Sequence, residues 1–101
     1  MSVIHGSSAV QFERYLHEDK HALLVVIANQ DGPAGADIRA RLQRARIRIA
    51  RFSESYVNDG ERKRTIRCDV TWRAIRQDTE VPAAIKDLAE AGGVLQLRWR
   101  A

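Results

Sequence analysis

Residues 66–73 alternate strictly between apolar and polar side chains, in the order Ile-Arg-Cys-Asp-Val-Thr-Trp-Arg. A period of two places the two sets of side chains on opposite faces of a β-strand. One face of this strand is therefore apolar and the other is charged. We expect helices to cover the apolar face and water to reach the charged face.

A partner strand precedes this one, because Ile47, Ile49 and Phe52 mark a second apolar pattern. The Asn-Asp-Gly sequence at residues 58–60 lies between the two strands and tolerates positive φ, which predicts a hairpin turn. The apolar phase changes between Ile49 and Phe52. This change predicts a β-bulge near residues 50–51.

Two further strands are indicated at the start and the end of the chain. Residues 22–28 form a nearly unbroken apolar run, which predicts a strand that is buried on both faces or lies at the centre of a sheet. The last strand is predicted over residues 94–100, with Leu95, Leu97 and Trp99 on the inner face.

Helical spacing of apolar residues predicts the remaining elements. A short amphipathic helix or connector covers residues 9–18, and a helix over residues 36–45 carries Ile38 and Leu42 on one stripe. Another helix includes Pro82 in its first turn and stops at the two glycines at 92–93. Its expected N-cap is Asp78 or Thr79.

The resulting order is strand, helix, strand, strand, helix, strand. Right-handed crossovers on so short a chain favour one arrangement, the α+β ferredoxin-like βαββαβ fold. We therefore predict a four-stranded antiparallel sheet with two helices on one face. The predicted organisation is a lead and short helix or connector over residues 1–20, then a single domain over residues 21–101.

Composition supports a single soluble globular domain. The chain has 101 residues, of which 45% are hydrophobic and 30% charged, and it has no apolar run as long as the ~20 residues of a membrane helix. Cys68 is the only cysteine and lies in the inward row, which excludes a disulfide framework. A reducing compartment, the cytoplasm, is the simplest interpretation.

Candidate chemistry is sparse. The sequence contains no catalytic triad, acid–base pair, phosphate-binding glycine loop or convincing metal-ligand spacing, so we expect no enzyme activity, metal or cofactor. The net charge is +4, and the outward rows of the predicted sheet form a basic surface. Its members are Arg67, Arg73, Arg98 and Arg100.

Three kinds of partner suit such a surface: a second copy of the domain, an anionic membrane and a nucleic acid. RNA-recognition modules stack bases on exposed aromatic rings of the central strands, and the outward row here has none. Nucleic acid is therefore disfavoured as a partner, and a basic-surface nucleic-acid binder that makes only phosphate contacts is the third alternative.

Several local features resemble a known family. These are the apolar strand over residues 23–28, the Ile38/Leu42 helix, the hairpin at residues 58–60 and the closing sequence Leu-Ala-Glu-Ala-Gly-Gly-Val-Leu-Gln-Leu-Arg-Trp over residues 88–99. Together they resemble ACT-like regulatory domains and, in particular, the soluble C-terminal domain of MgtC/SapB-type membrane proteins. The resemblance implies a cytosolic regulatory or interaction domain that is attached to a membrane-embedded half linked to magnesium homeostasis in bacteria.

The broader ACT resemblance implies a different alternative, a ligand-sensing module that binds an amino acid and works as a homodimer. The ACT hallmark is an Asp-x-Pro-Gly loop after the first strand. Here the sequence is Asp31-Gly32-Pro33-Ala34-Gly35, with one extra residue before the last glycine. The ligand-binding residues implied by the resemblance are Asp31, Gly32 and Gly35. The expected partners are thus a second copy, a membrane half or another membrane protein, and a small-molecule ligand as the alternative.

Overall fold

The computed structural model describes residues 16–58 and 62–101, and it has the predicted order of elements. In chain order these are β1 (His17–Asn29), α1 (Gly35–Arg44), β2 (Arg48–Asn58), β3 (Arg62–Ile75), α2 (Ala83–Ala89) and β4 (Val94–Arg100). The strands form one four-stranded sheet in the order β2-β3-β1-β4, and every neighbouring pair is antiparallel. The predicted ferredoxin-like fold is confirmed.

Both helices lie on the same face of the sheet. Ile38 and Leu42 of α1 and Ile85 and Leu88 of α2 are fully buried in one core. The inner rows of β1 and β3 complete this core with Ala22, Leu24, Val26, Ile66, Cys68 and Val70. No helix covers the opposite face within the described residues, and we call it the open face.

Strand β1 lies between β3 and β4, so the prediction of a central strand is correct. It is longer than predicted and begins at His17, four residues before the expected domain start at residue 21. The polar residues 17–21 join the strand because they pair with residues 71–75 of β3. Of the helix expected over residues 9–18, residues 9–15 lie outside the described part of the chain.

The β-bulge predicted in β2 is confirmed, since the pairing with β3 shifts register between Ile49 and Arg51. The shift moves the extra residue, Ala50, out of the ladder. Phe52 therefore stands opposite Cys68 and packs against the core from the inner face. The turn predicted at residues 58–60 lies, apart from the end of β2, outside the described residues.

Helix α1 ends in a Schellman motif. The Ile47 N–H donates to the Leu42 carbonyl at 2.9 Å, and the Arg46 N–H donates to the Gln43 carbonyl at 3.0 Å. Arg46 has φ 60°, the left-handed conformation that usually carries glycine at this position. The chain then turns directly into β2.

Helix α2 is shorter than predicted, and the expected N-cap is wrong. Pro82 occupies the N-cap position instead of the first turn. Asp78 has another role, because its Oδ1 accepts a hydrogen bond from the Glu80 N–H at 2.9 Å and so closes a local turn. The sequence contained two plausible caps, and the loop geometry uses neither.

Strand β4 has the predicted bounds, but one of its three inner residues is misplaced. Leu97 and Trp99 pack against the core, whereas Leu95 is 51% exposed. The ladder between β1 and β4 shifts register between Ile27 and Ala28, which leaves Leu95 unpaired. Trp99 also contacts Trp72, with ring centroids 5.0 Å apart and ring planes tilted by 48°.

Candidate functional site

The open face carries an apolar row along its central strand. Leu23, Val25 and Ile27 alternate with fully covered residues of β1, and all three are only partly buried. We call these three side chains the open-face stripe. Apolar groups left on an uncovered sheet face are typical of an interaction surface.

Arginines flank this stripe on both sides. Val25 pairs with Arg67 of β3 and with Arg98 of β4, so the two arginine Cα atoms stand about 10 Å apart across the sheet. Leu23 lies between Asp69 and Arg100. The structure thus brings together three of the four residues of the predicted basic surface.

The fourth residue, Arg73, lies elsewhere. It stands opposite Asp19, six residues along β3 from Arg67. At about 3.3 Å per residue this separates Arg67 and Arg73 by about 20 Å. Arg73 lines a groove at the end of β2 instead of bordering the stripe.

The charge of the open face favours an anionic partner. Arg67, Arg98 and Arg100 are exposed, and none of them forms an ion pair with another described residue. Asp69 is the nearest acid, but Arg51 already approaches it at 4.0 Å. The described tryptophans point away from this face, toward the core side, so the surface offers guanidinium and aliphatic groups.

The loop between β1 and α1, which was predicted to hold a ligand, is tightly packed against its neighbours. A Cβ on Gly32 would lie 2.7 Å from the Gly93 carbonyl oxygen and 2.8 Å from the Ala28 Cβ. A Cβ on Gly35 would lie 2.6 Å from a carboxylate oxygen of Glu54. Gly32 is therefore needed for close packing against backbone, whether or not a ligand binds, whereas the neighbour of Gly35 is the movable end of the Glu54 side chain.

The helix N-terminus beside this loop already has an acceptor. The Asp37 Oδ2 accepts a hydrogen bond from the Ala34 N–H at 3.2 Å, which is one half of a capping box. Asp31 is exposed near the start of the loop, where its N–H donates to the Asn29 Oδ1 at 2.9 Å. A ligand carboxylate at this N-terminus would have to compete with Asp37.

A groove of about 450 Å³ nevertheless runs along the loop and α1. Asp31 and Asp37 line it together with Arg41 and Arg44. Two carboxylates and two guanidinium groups suit a zwitterion, because its ammonium group needs a negatively charged partner and its carboxylate a positively charged one. Of the predicted ligand-binding residues, Asp31 and Gly32 line this groove and Gly35 does not, and the sequence prediction missed the charged side chains of α1.

Cys68 is the only cysteine of the sequence, and its thiol is buried. Burial, with a smaller contribution from the Asp69 carboxylate, raises the pKa of the Cys68 thiol to about 11, although the Arg39 guanidinium opposes this shift. The thiol therefore stays protonated and poorly nucleophilic at neutral pH.

Among the described residues there is no cluster of three or more metal-ligating side chains. No helix of residues 16–58 and 62–101 has the length and apolarity to cross a bilayer.

Comparison with known proteins places this geometry in a fold family. No protein-family model matches the sequence, and a search of curated protein sequences also found no match. Among solved structures, the C-terminal domain of the MgtC protein from Mycobacterium tuberculosis is similar, with a TM-score of 0.56 and 17% identity. The similarity covers 85% of this chain and 87% of that domain.

The regulatory subunit of aspartate kinase from Thermus thermophilus, in its ligand-free form, is similar with a TM-score of 0.51 and 20% identity. The match covers 84% of this chain and 54% of that subunit, so the chain spans about half of it. The fold is ACT-like. Within that class, the ACT-like domain described here resembles the MgtC C-terminal domain, as the sequence resemblance implied.

The open-face stripe was missed by the sequence prediction. The signal was present, since a run over residues 22–28 without alternation places apolar side chains on both faces of a strand. What the sequence did not reveal is that no other described element covers one of those faces. The stripe is therefore the least expected part of the candidate site.

Proposed function

We propose that this ACT-like domain is a non-enzymatic regulatory module that works by binding another protein through its open face. The observation that carries the proposal is the open-face stripe, Leu23, Val25 and Ile27, with exposed arginines on both sides. Apolar residues supply the area that drives association, and the arginines select for a partner of opposite charge.

The partner that fits this surface is an amphipathic segment with acidic residues beside its apolar ones. Arg67, Arg98 and Arg100 could each pair with a carboxylate while aliphatic side chains cover the stripe. Two copies packed face to face would bring several of these guanidinium groups together, so charge disfavours this form of homodimer. A homodimer through another surface stays a prediction.

We further infer that the domain serves as the cytosolic C-terminal domain of a bacterial membrane protein of the MgtC/SapB type, linked to magnesium homeostasis. The likeness to the MgtC C-terminal domain over 85% of the chain supports this proposal. The membrane half of the same protein, or another membrane protein, would then supply the acidic segment. The role would be regulatory, because the described residues offer no catalytic constellation.

Site-specific photocrosslinking in the source cells tests the proposal. A benzoylphenylalanine in place of Gln96, which is exposed on the open face opposite Ile27, is expected to capture a partner protein. The matched control replaces Lys86, an exposed residue of α2 on the other side of the sheet. Two results together support the assignment. The crosslink from position 96 should disappear when Arg98→Glu is added, and position 86 should give no crosslink.

The identity of the captured molecule separates the alternatives. A membrane protein supports the MgtC-type role, and a product of twice the chain mass indicates a homodimer. Nuclease-sensitive crosslinks would indicate nucleic acid, whose binding should weaken steeply with added salt. No specific product at position 96 contradicts the proposal.

A second candidate function is sensing of an amino acid in the loop groove, favoured by the two acids and two arginines that line it. Millimolar amino acids should then raise the melting temperature, and Asp31→Ala should abolish the effect. The control is Glu90→Ala, an exposed acid outside this groove. No stabilisation by any of the twenty amino acids would exclude this candidate.

A further inference from the structure

A second basic surface lies away from the open-face stripe and the loop groove. One groove of about 810 Å³ is lined by Arg39 from the middle of α1, Arg46 just after α1, Arg48 at the start of β2 and Arg73 of β3. We call it the arginine groove. Asp19 is the only acidic residue among its lining residues, and Ile49 contributes apolar surface.

The groove results from the unequal lengths of neighbouring strands. β2 begins at Arg48 opposite Thr71, whereas β3 continues to Ile75 and pairs there only with β1. Among the described strands, the edge of β3 beyond Thr71 therefore has no neighbour on the β2 side. The Schellman turn brings the end of α1 to this corner, so guanidinium groups from α1, from residues 46–48 and from β3 line the same groove.

Most of the positive charge of the groove is not paired with acids of residues 16–58 and 62–101. Asp19 forms an ion pair with Arg48, with 3.5 Å between the carboxylate Oδ1 and Nη2. Arg39 stacks on the Phe52 ring with its Cζ 4.2 Å from the centroid, a contact that orients the side chain and leaves its charge available. Arg46 and Arg73 form no ion pair with any residue of the described ranges.

Arg46 carries an independent sign of function. It is the only non-glycine residue of the described part with positive φ. This conformation is unfavourable for a residue with a Cβ, and glycine would serve the helix end better. Backbone strain of this kind clusters at functional sites, where the side chain is needed at that position. At this position the Arg46 side chain contributes its guanidinium group to the lining of the groove.

We propose that the arginine groove binds an organic phosphate of the nucleoside di- or triphosphate class. The three guanidinium groups that pair with no described acid match a ligand with about three negative charges, and the guanidinium fork pairs bidentately with phosphate oxygens. The volume lies in the range of small-molecule sites, and Ile49 offers a wall for the organic part. This site goes beyond the proposed partner surface and does not depend on it.

Calorimetric titration of the protein with ATP, ADP and pyrophosphate at low salt, without divalent metal, tests the proposal. We expect saturable binding of ATP and ADP that weakens about tenfold or more in Arg46→Gly and in Arg73→Gln. Arg98→Gln and Arg100→Gln remove the same charge on the open face and should change the affinity less than about twofold.

The variants were chosen so that loss of binding cannot reflect loss of folding. Arg46→Gly places the preferred residue at the helix end, so its melting temperature should equal or exceed that of the wild type. Arg73 is exposed, so Arg73→Gln should leave the fold intact. Equal weakening in all four variants would indicate a general charge effect and overturn the proposal. Binding of anionic phospholipid vesicles without binding of ATP, ADP or pyrophosphate would overturn it as well.

Discussion

Gly32 and Gly93 hold the loop after β1 against the turn before β4. The Asn29 N–H donates to the Gly93 carbonyl at 2.9 Å, and the two glycine backbones approach so closely that neither position accepts a side chain. Gly93 also has φ 86°, a conformation that residues with a Cβ rarely adopt. These two residues fix where β4 enters the sheet.

Gly93→Ala is therefore expected to destabilise the domain by at least about 2 kcal/mol, since it adds left-handed strain to backbone overlap. The neighbouring Gly92 provides a matched control, because a Cβ there meets nothing within 4 Å. Gly92→Ala should be neutral or stabilise by a few tenths of a kcal/mol. Urea denaturation of both variants measures the difference, and equal stabilities would contradict the close approach.

Cys68 gives a prediction about pH. Burial raises the pKa of its thiol from the ordinary value near 9 to about 11, so the unfolded chain releases this proton first as the pH rises. The folded state should lose stability between about pH 9 and pH 11 because of this group. In Cys68→Ala this part of the pH dependence should be missing, although the variant is less stable overall. Parallel pH slopes for wild type and variant would show that the thiol is not buried.

At the level of secondary-structure elements, α1 begins without a capping side chain. Ala34 occupies the N-cap position in an extended conformation, and only the Asp37 half of a capping box is present. The helix forms because Ile38 and Leu42 are fully buried, not because its ends are optimal.

Ala34→Ser should complete the capping box and stabilise the domain by about 1 kcal/mol. Ala36→Ser is the control, since residue 36 is exposed within the first turn and lacks the cap geometry. That variant should be slightly destabilising. Thermal unfolding followed by circular dichroism distinguishes them. A stabilisation by both variants would point to a general effect of serine and not to capping.

Alternation and long apolar runs in the sequence were sufficient to predict several elements. The bounds of β4 and the bulge in β2 are examples. The extension of β1 to His17 could not, because residues 17–21 are polar and become strand only by pairing with β3. The exposure of Leu95 has a similar origin, since it depends on a register shift between two strands distant in sequence. The arginine groove is also non-local, as its residues come from four separate parts of the chain.

At the level of the whole molecule, the two-layer arrangement assigns adjacent residues of β1 to different environments. Leu24 is fully buried beneath the helices, whereas Leu23 lies in the open-face stripe and is partly exposed. Leu24→Ala should therefore destabilise by about 2–5 kcal/mol and Leu23→Ala by about 1 kcal/mol. Chemical denaturation of the two variants checks this order. Similar losses for both would mean that a second layer covers the open face.

The same layering underlies the proposed function, because an uncovered stripe can bind a partner only if solvent reaches it. The most direct measurement is methyl NMR of Leu, Val and Ile groups with a soluble paramagnetic probe, in a sample whose mass is that of a single chain. We expect the Val25 and Ile27 methyl signals to broaden strongly while those of Leu24 and Val26 remain sharp. Equal protection of Val25 and Val26 in that single-chain sample would contradict the open face and the function built on it.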